Sequence, residues 1–297
     1  MMEKDGFLAR IRRSESASGW AIISPSALYV VIMLAAPLAM VLVYSVMTDG
    51  DGGRVQWVFT LENYIKVWTG KVYQAIMWRS LYVSMLVTLA TVLLAYPVAY
   101  FVSFYVSPSK KSLWLFLITI PFWTSYVIRV FLWKVILGYN GVINSGLMSL
   151  GIIDEPLTVI NYNAGAMVMT LAHAYAPFAI LPIFVVLEKI DRSLLEAGQD
   201  LGESKLRTFW RVTLPLSMPG VIAAVLIVFI PTIGDYVTPD LIGGGKIPMI
   251  ANMIEVQMLK QQNKALGSAI AVSAMLIVAL VSLVFLFMNR RFLRGQK

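Results

Sequence analysis

Residues 20–47, 80–104, 164–187 and 265–288 each run the length of a membrane crossing without one charged side chain. A bilayer core about 30 Å thick is spanned by roughly 20 apolar residues in a helix, so all four are long enough. Two further runs are less clean. Residues 113–137 carry Arg129 and Lys134 in their second half, and residues 214–236 are broken by Pro215, Pro219 and Pro231. Lipid cannot satisfy free backbone N–H and C=O groups, so runs of this length cross as helices. The expectation is an all-α integral membrane protein with six spans, forming a single domain over residues 20–297 behind a basic segment, 1–19. Composition agrees: 59% of the chain is apolar and 13% charged, where soluble domains carry about 25% charged residues. Pro37, Pro97, Pro121, Pro177 and Pro182 lie inside spans and predict kinks, which neighbouring helices can accommodate. The first run is longer than a signal-peptide core of about 7–15 residues and reads as an uncleaved span.

The net charge of +8 raises the prospect of nucleic-acid binding, but its distribution points elsewhere. With the N-terminus placed in the cytoplasm, Lys4, Arg10, Arg12, Arg13, Lys110, Lys111, Lys189, Arg192, Lys205, Arg207, Arg211, Arg290, Arg291, Arg294 and Lys297 fall on the inner side. That is 15 of the 24 basic residues, while the acids divide evenly. The positive-inside rule then puts both termini in the cytoplasm, and no nucleic acid is needed to explain the charge. There is no cysteine and one histidine, His173. Disulfides, thiol catalysis and most metal sites are thereby excluded. His173, in mid-span, reads as a packed, hydrogen-bonded side chain rather than a proton relay.

In this topology the stretch "SLLEAGQDLGESKLRTFWRVTLPLSMPG", residues 193–220, begins in the cytoplasm between the fourth and fifth spans, within a loop over 189–215. Ser193 and Glu196 have the S-x-x-E spacing of a capping box. Gly202 suits the left-handed residue that closes a helix, and Ser204 suits the cap of a second short helix that Pro215 should stop. Leu194, Leu195, Gly198 and Leu201 are expected on one apolar face. Such a helix is too short to be stable alone and invites a groove in a partner. A helix lying on lipid headgroups is the alternative on these grounds.

Glu196-Ala197-Gly198, then Gly202 after three residues, then Val212-Thr213-Leu214-Pro215 after nine more, resembles the EAA loop of permease subunits in binding-protein-dependent ABC importers. Gly198 stands where the motif has its second alanine, and Val212 where it has isoleucine. The resemblance implies a type I importer (MetI-like) permease fold. It also implies that Leu195, Glu196, Ala197, Gly198, Leu201, Gly202 and Pro215 form the coupling element gripped by a separate ATPase. The expected partners are a second homologous permease, a cytoplasmic ATPase dimer and a periplasmic binding protein. The chain would bind no cofactor itself, with ATP and magnesium held by the ATPases, and it would catalyse no reaction. "FTLENYIKV" (59–67), "PFWTSYVIRVFLWKVIL" (121–137) and "GDYVTPDLIGG" (234–244) resemble spermidine/putrescine-type permeases, above all the first of their two permease subunits.

That resemblance implies a polyamine substrate, with zwitterionic or anionic solutes (betaines and sulfonium compounds, amino-phosphonates, opines) as the alternative. Asp235, Tyr236 and Asp240 at the outer end of the fifth span, with Trp123, Tyr126 and Tyr175, are the candidate pathway residues. A carboxylate beside aromatic rings suits an amine through ion pairing and cation–π attraction. Capping of a helix end is the simpler role for Asp235. Arg129 and Lys134 are expected to snorkel to the outer interface. "GGGKIP" (243–248) lacks the spacing of a phosphate-binding loop. Two other classes compete. A secondary transporter would need acidic or histidine relays in mid-membrane, and a membrane enzyme would need a nucleophile–base pair or metal cluster; neither pattern is present.

Overall fold

The computed structural model describes residues 15–294; Lys4, Arg10, Arg12, Arg13 and Lys297 of the orientation count lie outside them. In chain order the elements are α1 (Glu15–Ser45), a small hairpin of β1 (Thr48–Asp49) and β2 (Val55–Gln56), α2 (Glu62–Thr69), α3 (Lys71–Phe104), α4 (Pro108–Thr119), α5 (Tyr126–Ile136), α6 (Val142–Ser149), α7 (Ala164–Glu188), α8 (Arg192–Asp200), α9 (Lys205–Thr208), α10 (Leu214–Ile233), α11 (Val237–Leu241), α12 (Ile250–Glu255), α13 (Lys264–Met288) and α14 (Arg290–Arg294). Five helices are long and apolar enough to cross a membrane: α1, α3, α7, the continuous rod from Lys205 to Ile233, and α13. A sixth crossing results if α4 and α5 form one bent span.

The third run is therefore not a straight helix. A 3₁₀ turn at Ile120–Trp123 separates α4 from α5, and the two are bent by 86°. Pro121 offers no N–H, and its ring crowds the preceding turn. Its carbonyl instead takes the Thr124 hydroxyl at 2.9 Å, which helps hold the corner. The other span prolines sit inside unbroken α7, α3 and α1. Pro215 does not stop the second short helix either. The five residues Phe209–Thr213 form a π-helical turn, and the wider turn carries the chain into α10. Such a bulge relieves the contact between a proline ring and the carbonyl four residues back. The second span is also longer than its uncharged run, reaching back to Lys71.

The centre of the bundle is α3, α7 and α10 packed side by side. Val87, Ala95, Ala99 and Val102 meet Leu171, Ala179 and Ile183, and Ala224 and Val228 close the third side. Small residues allow that approach. A Cβ on Gly220 would lie 2.7 Å from the Pro182 carbonyl, so only glycine lets α10 sit this close to α7. Tyr96 and Ser217 exchange a 2.8 Å hydrogen bond across α3 and α10. A second apolar cluster joins α2, α10, α12 and α13 through Val67, Phe229, Ile250 and Ile270. The hairpin closes onto this end: the Asp49 carboxylate accepts the Ala265 and Leu266 amides, at 2.8 and 3.0 Å, at the start of α13. α1 lies along α13.

Candidate functional site

Two places in the fold gather polar chemistry, one at each end of the bundle. The first is the turn from α7 into α10. Its local geometry differs from the capping box read from sequence. The cap is Asp191, whose Oδ1 accepts the Ser193 amide at 3.0 Å, so Ser193 lies inside α8 rather than before it. That hydrogen bond holds the Asp191 carboxyl below the usual carboxylate range. An aspartate two residues nearer the span end caps sooner, because its carboxylate also favours the positive end of the helix. Gly202 closes α8 with φ +81°, and the Glu203 amide returns to the Gly198 carbonyl at 3.1 Å. Ser204 caps α9 by accepting the Arg207 amide.

α8 and α9 cross where Gly198 meets Thr208. A Cβ at 198 would stand 3.2 Å from Thr208 Cγ2 and 3.3 Å from its Oγ1. This explains the departure from the second alanine of the motif. The apolar residues of α8 do not share one face. Leu195 and Gly198 are half-buried and turn toward the chain's own α3 and α9, whereas Leu194, Ala197 and Leu201 turn outward. Leu201 is 85% exposed. Leu195 and Glu196 line a recess of about 280 Å³ with Tyr100, Phe104, Arg192 and Phe209. The turn is tied to the bundle by ion pairing. Lys111 Nζ donates to both carboxylate oxygens of Glu188, at 2.5 and 2.7 Å. Ser103 donates to Glu188 Oε2 at 3.1 Å, and Arg192 donates to the Ser103 carbonyl at 3.2 Å. Three span ends thus meet at one carboxylate. Sequence reading missed this knot, because nothing local relates Ser103, Lys111 and Glu188.

The second place is at the opposite end, where α5, α7 and α11 converge. Asp235 is 6% exposed. Its Oδ1 accepts the Val237 and Thr238 amides at 3.0 and 3.4 Å, capping α11, the simpler role noted from sequence. Its Oδ2 makes no hydrogen bond of ordinary length, and the Tyr126 and Thr238 hydroxyls are the polar side-chain groups that face the carboxyl. Tyr126 shares a 2.8 Å hydrogen bond with the Thr238 hydroxyl, and its ring lies 6.3 Å from that of Tyr175. Asp235 is close enough to interact electrostatically with both tyrosines. Arg129 does not snorkel away. Its Nη1 donates to the Ala174 carbonyl at 3.1 Å, its guanidinium lies 5.9 Å from the Tyr126 ring centre, and its Nε is buried without a partner. Position 129 is one turn from Tyr126, so both point at α7. His173 accepts from Trp133 Nε1 at 3.1 Å.

Of the candidate pathway residues, the fold brings Tyr126, Tyr175 and Asp235 together. Trp123 and Tyr236 are 79% and 51% exposed and stand outside the cluster. Asp240 is held by Asn252 Nδ2 at 3.0 Å. Thr238 was not singled out from sequence; its position three residues after Asp235 is the one local signal that it belongs to the same turn.

Comparisons with known proteins agree with this architecture. Residues 25–297 match the family described as binding-protein-dependent transport system inner membrane component. The spermidine/putrescine transport system permease protein PotB of Haemophilus influenzae is 34% identical over 262 residues, covering 88% of this chain and 91% of that protein. PotB of Escherichia coli is 36% identical over 258 residues, covering 86% and 92%. A chain of a bacterial alginate ABC transporter, solved in complex with an alginate pentasaccharide-bound periplasmic protein, superposes with a TM-score of 0.74. It is 17% identical and covers 97% of this chain and 98% of that one, a likeness of fold. With the bundle of apolar helices and the EAA-type turn in place, the chain belongs to the binding-protein-dependent transport system inner membrane components and is a multi-pass permease of the inner membrane.

Proposed function

We propose that this permease moves polyamines of the spermidine/putrescine type and is driven by an ATPase that binds the α8–α9 turn. A second, related permease completes the pathway, a periplasmic binding protein delivers the solute, and both termini lie in the cytoplasm. ATP and magnesium belong to the ATPase, and this chain performs no chemistry on its cargo. Nucleotide-driven closure of the ATPases moves the turn, and α10, continuous with α9 through the π turn, carries the displacement into the bundle. Differential affinity for inward- and outward-facing states then sets the direction of transport.

One observation carries the substrate reading: a buried carboxylate oxygen on Asp235 that makes no hydrogen bond of ordinary length, beside the rings of Tyr126 and Tyr175. An unpaired buried acceptor is costly, and an ammonium group satisfies it with a charge-assisted hydrogen bond while the rings attract its charge. Similarity to the PotB proteins points the same way. Calorimetry of the cognate binding protein, followed by uptake into vesicles holding the complete transporter, tests the assignment. Putrescine or spermidine should bind at sub-micromolar concentration and be taken up. Tighter binding of a betaine, sulfonium compound, amino-phosphonate or opine, with no amine uptake, overturns it.

A further inference from the structure

α4 buries its lysine and exposes its leucines. Lys111 is the buried residue of this helix, whereas Leu113, Phe116 and Leu117 are exposed. Lipid is as apolar as leucine, so no hydrophobic gain presses such a helix onto its neighbours, and α4 touches α3 and α7 only lightly. It is fastened by charge instead. Lys111 Nζ spans both carboxylate oxygens of Glu188, the last residue of α7, and the Ser103 hydroxyl donates to the same carboxylate. A buried lysine is costly unless paired. An anchor to the membrane surface alone would be served by an exposed lysine such as its neighbour, Lys110. The knot also bridges the break between α7 and α8. Residues 189–191 separate the two helices, and a push on α8 would otherwise be absorbed there by bending. Arg192, the first residue of α8, donates to the Ser103 carbonyl at the end of α3, so α8 is tied to the same carboxylate that holds α4. From there α4 leads through the Pro121 corner into α5, which places the Tyr126 hydroxyl on Thr238 beside Asp235.

We propose that Lys111 and Glu188 form a coupling pin, which carries the displacement of the ATPase-bound α8 into the third span and through it to the Tyr126–Thr238 end of the bundle. This rests on the ATPase-driven reading above and is independent of the identity of the cargo. Lys111 is a positioning residue: it acts on neither nucleotide nor cargo, and it keeps α4 in step with α8. An ammonium group held by two oxygens at once resists sliding, whereas apolar helices in lipid have little to stop one slipping past the other. The bent third span explains why a pin is needed at this place. α4 is short, lightly packed and ends in a corner, so movement enters it only where it is fastened.

Two measurements on the complete transporter test the pin. In vesicles, ATP hydrolysis and uptake of labelled putrescine are read together. Lys111→Met should cut uptake about tenfold or more while hydrolysis falls less than about twofold, so that more ATP is hydrolysed per putrescine. Lys111→Arg should return that ratio to within about twofold of the parent, and the exchange of charges in Lys111→Glu with Glu188→Lys should recover part of it. Loss of fold or assembly lowers both rates together and leaves the ratio unchanged. The second measurement needs no cargo. In this cysteine-free chain, spin labels at Ser109→Cys in α4 and Asp200→Cys in α8, both exposed positions, report the distance between the two helices. With the ATPase bound, that distance should stay constant on adding ATP in the parent and change by a few ångströms in Lys111→Met. An unchanged ratio in Lys111→Met, a Lys111→Arg protein as uncoupled as Lys111→Met, or a parent distance that varies as much as the variant's overturns the pin. A parent that hydrolyses ATP without taking up putrescine overturns the polyamine reading alone, and the label distance then decides the pin. A parent that binds no ATPase overturns the ATPase-driven reading and the pin together.

Discussion

Gly198 shows how one position departs from its motif for a reason that lies in space. Within a helix, alanine is favoured over glycine by about 1 kcal/mol, which would argue for Gly198→Ala as an improvement. Against that stands Thr208, whose methyl and hydroxyl would be 3.2 and 3.3 Å from the new carbon. Thr208 is buried and its hydroxyl donates to the Ser204 carbonyl, so it cannot swing aside. Overpacking of this sort costs about 1–3 kcal/mol, and the clash outweighs the propensity. Gly198→Ala is therefore expected to lower the thermal stability of the purified protein. In a Thr208→Ala background the sign should reverse, with Gly198→Ala stabilising by about 1 kcal/mol. The pair of melting curves checks both signs. The substitution of glycine in the motif was legible in the sequence; its cause was not, because residues 198 and 208 sit on different helices and only the crossing angle brings them together. Asp191 was missed for a different reason. Ser193 and Glu196 satisfy a capping pattern, and the sequence alone does not say that an earlier aspartate claims the helix first.

At the scale of elements, the spans as uncharged runs were legible because lipid imposes a length and a composition on any crossing helix. Their breaks were less so. Pro121 produces a corner, whereas Pro97, Pro177 and Pro182 sit in continuous helix. A proline marks a weak place, and the packing around it decides the outcome. α7 and α10 are clamped face to face at Gly220 and Pro182, while α4 and α5 lie toward the edge of the bundle, where a bend disturbs little. The ends of the packed elements are fixed by the knot at Glu188. Lys111 is largely buried and Glu188 partly exposed, so their bond is shielded on one side and adds more than an open surface pair. In a double-mutant cycle with Lys111→Met and Glu188→Gln, the coupling energy is expected at about 1–2 kcal/mol. Each single change should cost more than the pair taken together would imply, because it strands the other group's charge. Thermal unfolding of the four proteins in detergent measures this directly. A coupling energy near zero would mean that Ser103 and water already satisfy the carboxylate.

For the whole molecule, the two polar places lie at opposite ends of one bundle, and the proposed function uses that separation: in it, force enters at one end and the cargo is gripped at the other. α8 follows directly from the end of α7 beside Ser103, the last turn of α3. The hairpin after α1, held to the start of α13 by Asp49, belongs to the other end. The positive-inside rule predicts that the first end lies in the cytoplasm, and that expectation decides whether an ATPase can reach Leu194, Ala197 and Leu201 at all. The absence of cysteine from the chain makes the assignment directly testable. Single cysteines at Glu196→Cys in α8 and Trp57→Cys after β2, both exposed positions, can be probed with a charged maleimide that does not cross membranes. In intact spheroplasts only Trp57→Cys should react, and after permeabilisation both should. Addition of the ATPase subunit should then slow labelling at Glu196→Cys and leave Trp57→Cys unchanged, since a gripped helix loses access while the far end does not. Labelling of Glu196→Cys from outside intact spheroplasts would place the turn beyond reach of any cytoplasmic nucleotide-driven partner, and the coupling role of α8 could not stand.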